Sequence, residues 1–145
     1  MRSRALAGLV ASFLAACGGT EPIELASSYA VSSVGGAPPP RLVGATVECD
    51  VSVVGGHLSF GAAEQFELGL NVLTDCSRGG GSPSEATYGY TGTVVVDGRR
   101  VTFQTARGSG PLTFDGQVAP SGELNVVVPL LVPTADEVSV SYRPT

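Results

Sequence analysis

The sequence predicts an all-β domain: a small antiparallel up-and-down barrel of about eight strands, with a two-sheet β-sandwich as the alternative. Three observations carry this expectation. Apolar residues recur at every second position in short blocks, most plainly Phe66, Leu68, Leu70, Val72, Thr74 and Cys76. A helix would bring them back every three or four positions. Turn signals separate the blocks at regular spacing, at Gly35-Gly36, Gly55-Gly56, Asp97-Gly98 and Pro120-Ser121-Gly122. No stretch carries a helical start, period and stop.

The first strand is expected over Ser28–Val34, with Tyr29, Val31 and Ser33 on one face. Gly35-Gly36 turns it, and Ala37-Pro38-Pro39-Pro40 enforces an extended passage. That passage reads as a rigid loop rather than a ligand for a PxxP-binding domain. Residues 45–54 alternate cleanly, with Val47, Cys49, Val51 and Val53 against Thr46, Glu48, Asp50 and Ser52. Gly55-Gly56 reads as a turn into a short strand over 57–60, with Leu58 and Phe60 inward. Residues 64–76 form the longest alternation, and 77–84, with three glycines and Pro83, form a loop.

Residues 85–96 read as one bent strand with Tyr88, Tyr90, Val94 and Val96 inward and Gly92 permitting the bend. Asp97-Gly98 is a hairpin signal of the type I′ kind, which needs positive φ at both central positions. Residues 99–105 return with Val101 and Phe103 inward. Residues 111–119 place Leu112, Phe114, Gly116 and Val118 on one face, and 123–128 place Leu124, Val126 and Val128 there. Pro129 and Pro133 cannot donate ladder hydrogen bonds and end that strand. The last strand is expected over 138–142, with Val138, Val140 and Tyr142 aligned.

The amino terminus reads differently. Arg2 and Arg4 precede a run from Ala5 to Ala16 broken only by Gly8 and Ser12. A short positive region, about twelve apolar residues and small residues at the end make an export signal, too short to span a bilayer. The run closes on Leu14-Ala15-Ala16-Cys17, which resembles the lipobox of bacterial lipoproteins. The resemblance covers roughly the first 20 residues and implies diacylation of Cys17 and removal of residues 1–16. It divides the chain into a signal peptide over 1–16, a lipidated N-terminus and tether over 17–27, and a β-domain over 28–145. Two or more acyl chains anchor stably where one does not. The implied partner is therefore a membrane, held through the N-terminal lipid. Gly18 rather than Asp follows the cysteine, which in those lipoproteins favours the outer membrane of the cell envelope over the inner one.

Cleavage leaves 129 residues, one domain able to bury a real core. Loss of Arg2 and Arg4 takes the formal charge from −5 to −7, with six arginines against thirteen acids and no lysine. A nucleic-acid role is excluded on that ground, since phosphate binding needs a positive stripe. The acidity aids solubility and names no partner.

Several segments together are similar to small lipocalin-like barrel lipoproteins of bacteria. They are the opening Tyr29-x-Val31-x-x-Val34-Gly35-Gly36, the segment Gly55-Gly56-x-Leu58-x-Phe60, the long strand ending in Cys76, and the run Gly92 to Phe103 across Asp97-Gly98. The resemblance covers most of 28–128 and implies a barrel that holds a small apolar ligand or binds an envelope partner. The candidate pocket residues are the inward set Phe66, Leu68, Leu70, Tyr88, Tyr90, Phe103 and Phe114. A barrel filled by its own side chains, serving as an adhesion or scaffold unit, is the structural alternative.

Catalytic chemistry finds little footing. His57 is the single histidine, and it stands beside two glycines, as a surface turn residue would. A triad or zinc site needs partners that the sequence does not supply. Glu48 with Asp50, and Asp136 with Glu137, lack the shaped acidic loop that calcium demands. No nucleophile elbow, dinucleotide fingerprint or P-loop ending occurs. The expectation is a protein that is not an enzyme, with no cofactor and no metal.

Once Cys17 carries lipid, Cys49 and Cys76 remain, and an exported domain meets oxidising conditions. Both lie on the apolar side of their strands, so a Cys49–Cys76 disulfide is expected. One condition attaches to it. A full strand at 57–60 between the two would hold the cysteines about 9.5 Å apart or more, two strand spacings. A disulfide requires Cα atoms within about 7 Å. The short strand must therefore stop before that level, or the ends must meet across a closed interior.

Overall fold

A computed structural model describes residues 23–107, 110–129, 131–132 and 134–145. Nine strands account for most of them: β1 Ser28–Val34, β2 Arg41–Ala45, β3 Asp50–Phe60, β4 Gln65–Asp75, β5 Ser84–Asp97, β6 Arg100–Arg107, β7 Gly110–Val118, β8 Leu124–Pro129 and β9 Glu137–Pro144. Two single-turn 3₁₀ helices, Ala62–Glu64 and Ser77–Gly79, are the helical elements among the described residues.

The pairing order is β1-β9-β8-β7-β6-β5-β4-β3-β2, and a second pairing of β1 with β3 closes the ring. Eight strands form the closed antiparallel barrel and β2 is an extra strand laid on β3. From β3 onward each strand pairs with the next in sequence, so the path is up and down throughout. The barrel expected from the sequence is therefore the observed architecture. The start of β1 and the C-terminal residue lie at one end: the Thr145 N–H donates to the Ser28 carbonyl and the Phe60 N–H to that of Ser27. The disulfide and the connections after β2 and β4 lie at the other.

The main departure from the expected elements concerns 41–60. The alternation over 45–54 is not one strand: residues 46–49 form a tight turn, closed by the Thr46 N–H donating to the Cys49 carbonyl at 2.7 Å. Arg41–Ala45 is a separate strand that the sequence reading missed. Gly55-Gly56 is not a turn either. The chain runs straight through it, so the expected short strand over 57–60 is the second half of β3.

Val53 lies opposite Val72 and Gly55 opposite Asn71, which leaves Val54 as an extra, bulged residue. The bulge shifts the inward set from odd to even numbers, so Val51 and Val53 are buried before it and Leu58 after it. Gly56 supplies the room, because a Cβ there would stand 2.3 Å from the Gly69 carbonyl oxygen.

A smaller irregularity in β1 has the same effect. The register slips between Val31 and Ser33, so that Val34, not Ser33, joins Tyr29 in the core. The displaced Ser32 hydroxyl donates to Glu123 Oε1 and contacts the Ser141 carbonyl at 3.0 Å. The Gly35-Gly36 turn is as expected, with positive φ at both residues. The hairpin after β5 turns on Gly98-Arg99 rather than on Asp97-Gly98. Asp97 pairs with Arg100, and of the two central residues only Gly98 has positive φ, the preference of a type II′ rather than a type I′ turn.

The core fills the barrel interior. Tyr29, Val53, Leu58, Phe66, Leu68, Leu70, Phe103, Leu124 and Tyr142 are among its buried residues, and no buried residue in it is charged. Ile23, Leu25 and Ala26 pack against it from the residues expected to be tether. Leu131 and Val132, which follow Pro129, are buried in it as well. Val96, expected inward, is 42% exposed at the end of β5.

Candidate functional site

The residues singled out by the sequence as pocket lining come together, and they pack on one another. Phe103 is fully buried, with ring centroids 5.0 Å from Phe66, 4.9 Å from Phe114 and 6.3 Å from Phe60. Phe114 in turn stands 5.8 Å from Tyr90. These separations are those of aromatic pairs in direct contact. Leu68 and Leu70 are buried on the same strand face as Phe66, and Tyr88 is half-buried beside them. The Tyr90 hydroxyl is turned to the protein itself, donating to the Pro129 carbonyl at 2.8 Å.

One residue inside the barrel was not singled out as a site. Tyr142 is fully buried, and its hydroxyl has no hydrogen-bond partner among the described residues. Burial pushes its pKa well above the ordinary tyrosine value. The sequence placed Tyr142 inward, but nothing in a period-two pattern tells whether a hydroxyl will find a partner.

The outer face carries the polar groups. Ser59, Gln65, Glu67, Thr91 and Thr93 line a groove of about 450 Å³ over the β3-β4-β5 corner. His57 flanks that face, with Nε2 3.6 Å from Glu67 Oε1 and both side chains largely exposed. Ser59 stands opposite Glu67 across the ladder. This pairing explains His57 in ordinary terms, as one half of a surface contact over the glycine at position 69. A second groove, of about 280 Å³, lies where β7 and β8 splay, between Asp115 and Gln117 on one side and Asn125 and Val127 on the other.

Two further ion pairs and one hydrogen-bonded carboxylate lie on the surface. Arg100 grips Asp115 with Nη2 at 2.6 Å and Nε at 3.2 Å, and the Thr102 hydroxyl adds a contact at 2.7 Å. Arg100 chiefly, and Thr102 after it, hold the Asp115 carboxyl below its ordinary pKa. Asp75 is lowered too, first by the Ser77 hydroxyl and then by the Ser77 N–H. Asp50, weighed with Glu48 as a calcium pair, is instead engaged by Arg78. Among the described residues no three of His, Cys, Asp and Glu converge to hold a metal ion.

Cys49 and Cys76 are joined in a disulfide. The condition placed on that bridge is met because no strand intervenes: 57–60 continues β3, and β3 pairs directly with β4. Cys17, the lipidation residue, lies outside the described residues. The chain matches no protein-family model, no curated protein and no solved structure.

Proposed function

We propose that this chain is a lipid-anchored lipoprotein of the bacterial cell envelope, favouring the outer membrane, whose barrel works through its outside. On this reading it is a non-enzymatic scaffold or adhesion unit that meets an envelope partner, not a container. The anchor rests on the sequence alone, on Leu14-Ala15-Ala16-Cys17 and the charged and apolar run before it. What supports the rest is the packing of Phe66, Phe103, Phe114 and Tyr90 against one another, where a container needs space. Drug-sized ligands occupy pockets of about 300–1,000 Å³. The two described grooves in or near that range lie on the outer surface.

Two experiments test the two halves. Cys17→Ser should abolish acyl labelling and move the protein out of the membrane fraction; unchanged fractionation removes the anchor. For the barrel, the apolar dye 1-anilinonaphthalene-8-sulfonate should show no saturable uptake by the native protein. Phe103→Ala, which opens an apolar cavity about the size of one ring, should instead gain binding of benzene, which fits it. Stoichiometric uptake by the native protein would restore the second reading, a barrel that holds a small apolar ligand. That reading is favoured by one observation, the unpartnered Tyr142 hydroxyl, which a polar atom of such a ligand would satisfy.

A further inference from the structure

β5 is the longest strand, yet it has two neighbours over less than half its length. It pairs with β4 from Ser84 to Thr93 but with β6 only from Gly92 to Asp97. Thr91 and Tyr90 are engaged beyond the ladder, Thr91 through its carbonyl by the Thr105 hydroxyl. That leaves Ser84 to Gly89 as six residues of regular strand whose second edge has no ladder partner among the described residues. All are exposed except Tyr88, which is half-buried. Even Ala86, which faces the core side, is exposed, although Val72 opposite it on β4 is buried, so the cover of the core stops short of the β5 edge at this level.

Bare edges are ordinarily guarded by a bulge, a proline, a lysine or a covering segment. The other edge strand, β2, has such guards: it is five residues long, its register is broken between Leu42 and Gly44, and Thr134 lies against Gly44. Ser84 to Gly89 carries one charge, Glu85, but among the described residues no bulge, proline, lysine or covering segment, and its ladder with β4 is unbroken.

We propose that this edge pairs with the same edge of a second copy, antiparallel, about a two-fold axis through Thr87. The residues of the segment are self-complementary in that register. Thr87 meets its own counterpart on the outer face, a favourable cross-strand pair. Glu85 falls opposite Gly89, so the one charge of the segment faces no like charge. Its counterpart Glu85 is four residue steps away, roughly 13 Å, beyond a physiological Debye length of about 8 Å. On the core side the exposed Ala86 falls opposite Tyr88, whose half-buried ring gains the cover it lacks in one copy. Four strands, β2-β3-β4-β5, would continue into four more as one sheet.

The operator has a consequence. Antiparallel pairing points the two barrels in opposite directions, so the ends that carry the N-termini lie far apart. Two copies anchored in one bilayer by the few residues between Cys17 and Ile23 cannot pair this way, whereas copies on two facing membranes can. That consequence rests on the proposed lipid anchor and specifies the adhesion reading; the pairing itself does not depend on it. An interface this small belongs with weak, transient contacts.

Cysteine cross-linking of the full chain, extracted in detergent so that the anchor no longer limits orientation, tests the pairing. Thr87→Cys places two thiols on the axis, where facing strands bring Cα atoms within disulfide range. On mild oxidation it should form a covalent dimer several-fold more than Gln117→Cys, an exposed site on β7. Glu85→Cys should not, since its two copies stand too far apart, whereas a mixture of Glu85→Cys and Gly89→Cys chains should. Peptide mapping verifies that Cys49–Cys76 stays intact in each variant. Equal dimer from Thr87→Cys and Gln117→Cys would overturn the proposal. So would equal dimer from Thr87→Cys and Glu85→Cys, which reports contact without register. A Thr87→Cys cross-link found only to a different protein would give the edge to a foreign strand and overturn it as well.

Discussion

Cys49 and Cys76 stand opposite each other one step beyond the last ladder pair of β3 and β4, Asp50 with Asp75, with Cα atoms 4.0 Å apart. The bridge thus ties the open end of two adjacent strands, at the end of the barrel away from the termini. Beside it, Arg78 engages Asp50, and the Ser77 N–H donates to Asp75 Oδ1 at 2.9 Å. Three short-range ties therefore hold the last residues of a ribbon whose inner face carries Val51, Val53 and Val72, all buried.

The denatured, unreduced protein should accordingly show no reactive thiol from Cys49 or Cys76. Replacing both with alanine closes no loop in the unfolded chain, and at a separation of 27 residues the expected loss is about 3 kcal/mol on a chain-entropy estimate. Chemical denaturation reads the loss. Hydrogen exchange should show the full loss at the amides around Phe103, which exchange through global unfolding, and a further local loss of protection in 46–53 and 72–75 where the bridge ties the strand ends.

How far the fold was legible turns on the bulge at Val54. Two alternation frames of opposite parity, odd through Val53 and even from Leu58, meet at Gly55-Gly56. A turn between two strands and a bulge within one strand produce the same letters. Glycine suits both, and only the partner strand decides. β4 is long enough to pair with all of Asp50–Phe60, so the uninterrupted ladder wins. β2 was missed for a related reason: Arg41–Ala45 is five residues beside a proline run, and its pattern has no clean period. The interior was legible because Phe66, Leu68, Leu70, Phe103 and Phe114 repeat at two without interruption. Whether they would line a space or fill it was not, since packing depends on the tilt and closure of the barrel rather than on the alternation.

Deleting Val54 tests this account directly. The deletion restores a regular ladder and keeps Leu58 and Phe60 on the core face, because Leu58 still falls opposite Leu68 and Phe60 opposite Phe66. Leu58 is fully buried and Phe60 packs on Tyr29 and Phe103. The deleted chain should therefore fold, losing only the local bend of the bulge, and Val54→Ala, which keeps the bulge, should cost less than about 1.5 kcal/mol. A deleted chain that loses native circular dichroism would show that the bend itself, and not only the pairing around it, is required to close the barrel.

Two surface carboxylates give the acid limb of stability its shape. Asp115 is held low by Arg100 and Thr102, and Asp75 by Ser77. Both bind their proton less readily folded than unfolded. Their contribution is therefore complete above the unfolded aspartate value of about 3.9. It is lost as pH falls through the lowered folded values. Both are exposed, so the effect is small and screened by salt. Asp115→Asn should flatten the acid limb of a denaturation series below about pH 4 while leaving the limb near neutrality parallel to that of the native protein. Arg100→Gln should do so to a lesser extent, because the Thr102 hydroxyl still donates to the carboxylate.

Tyr142 governs the opposite limb. Its hydroxyl is buried without a partner, and such a group costs on the order of 1–3 kcal/mol relative to an apolar one of the same shape. Tyr142→Phe should therefore stabilise the protein at neutral pH, against the usual direction of core substitutions. Burial also raises the Tyr142 pKa, so the folded protein keeps the phenolic proton after the unfolded chain has begun to release it. Stability attached to this residue is whole below the unfolded tyrosine value of about 10 and declines above it. In Tyr142→Phe that part of the decline disappears, so the gain over the native protein should widen as pH rises past 10. Urea denaturation at neutral and alkaline pH measures both effects. A phenylalanine variant that is less stable than the native protein at neutral pH would mean that the hydroxyl is in fact satisfied, by an internal water or by a bound molecule. Mass spectrometry of the native protein under non-denaturing conditions would then tell the two apart.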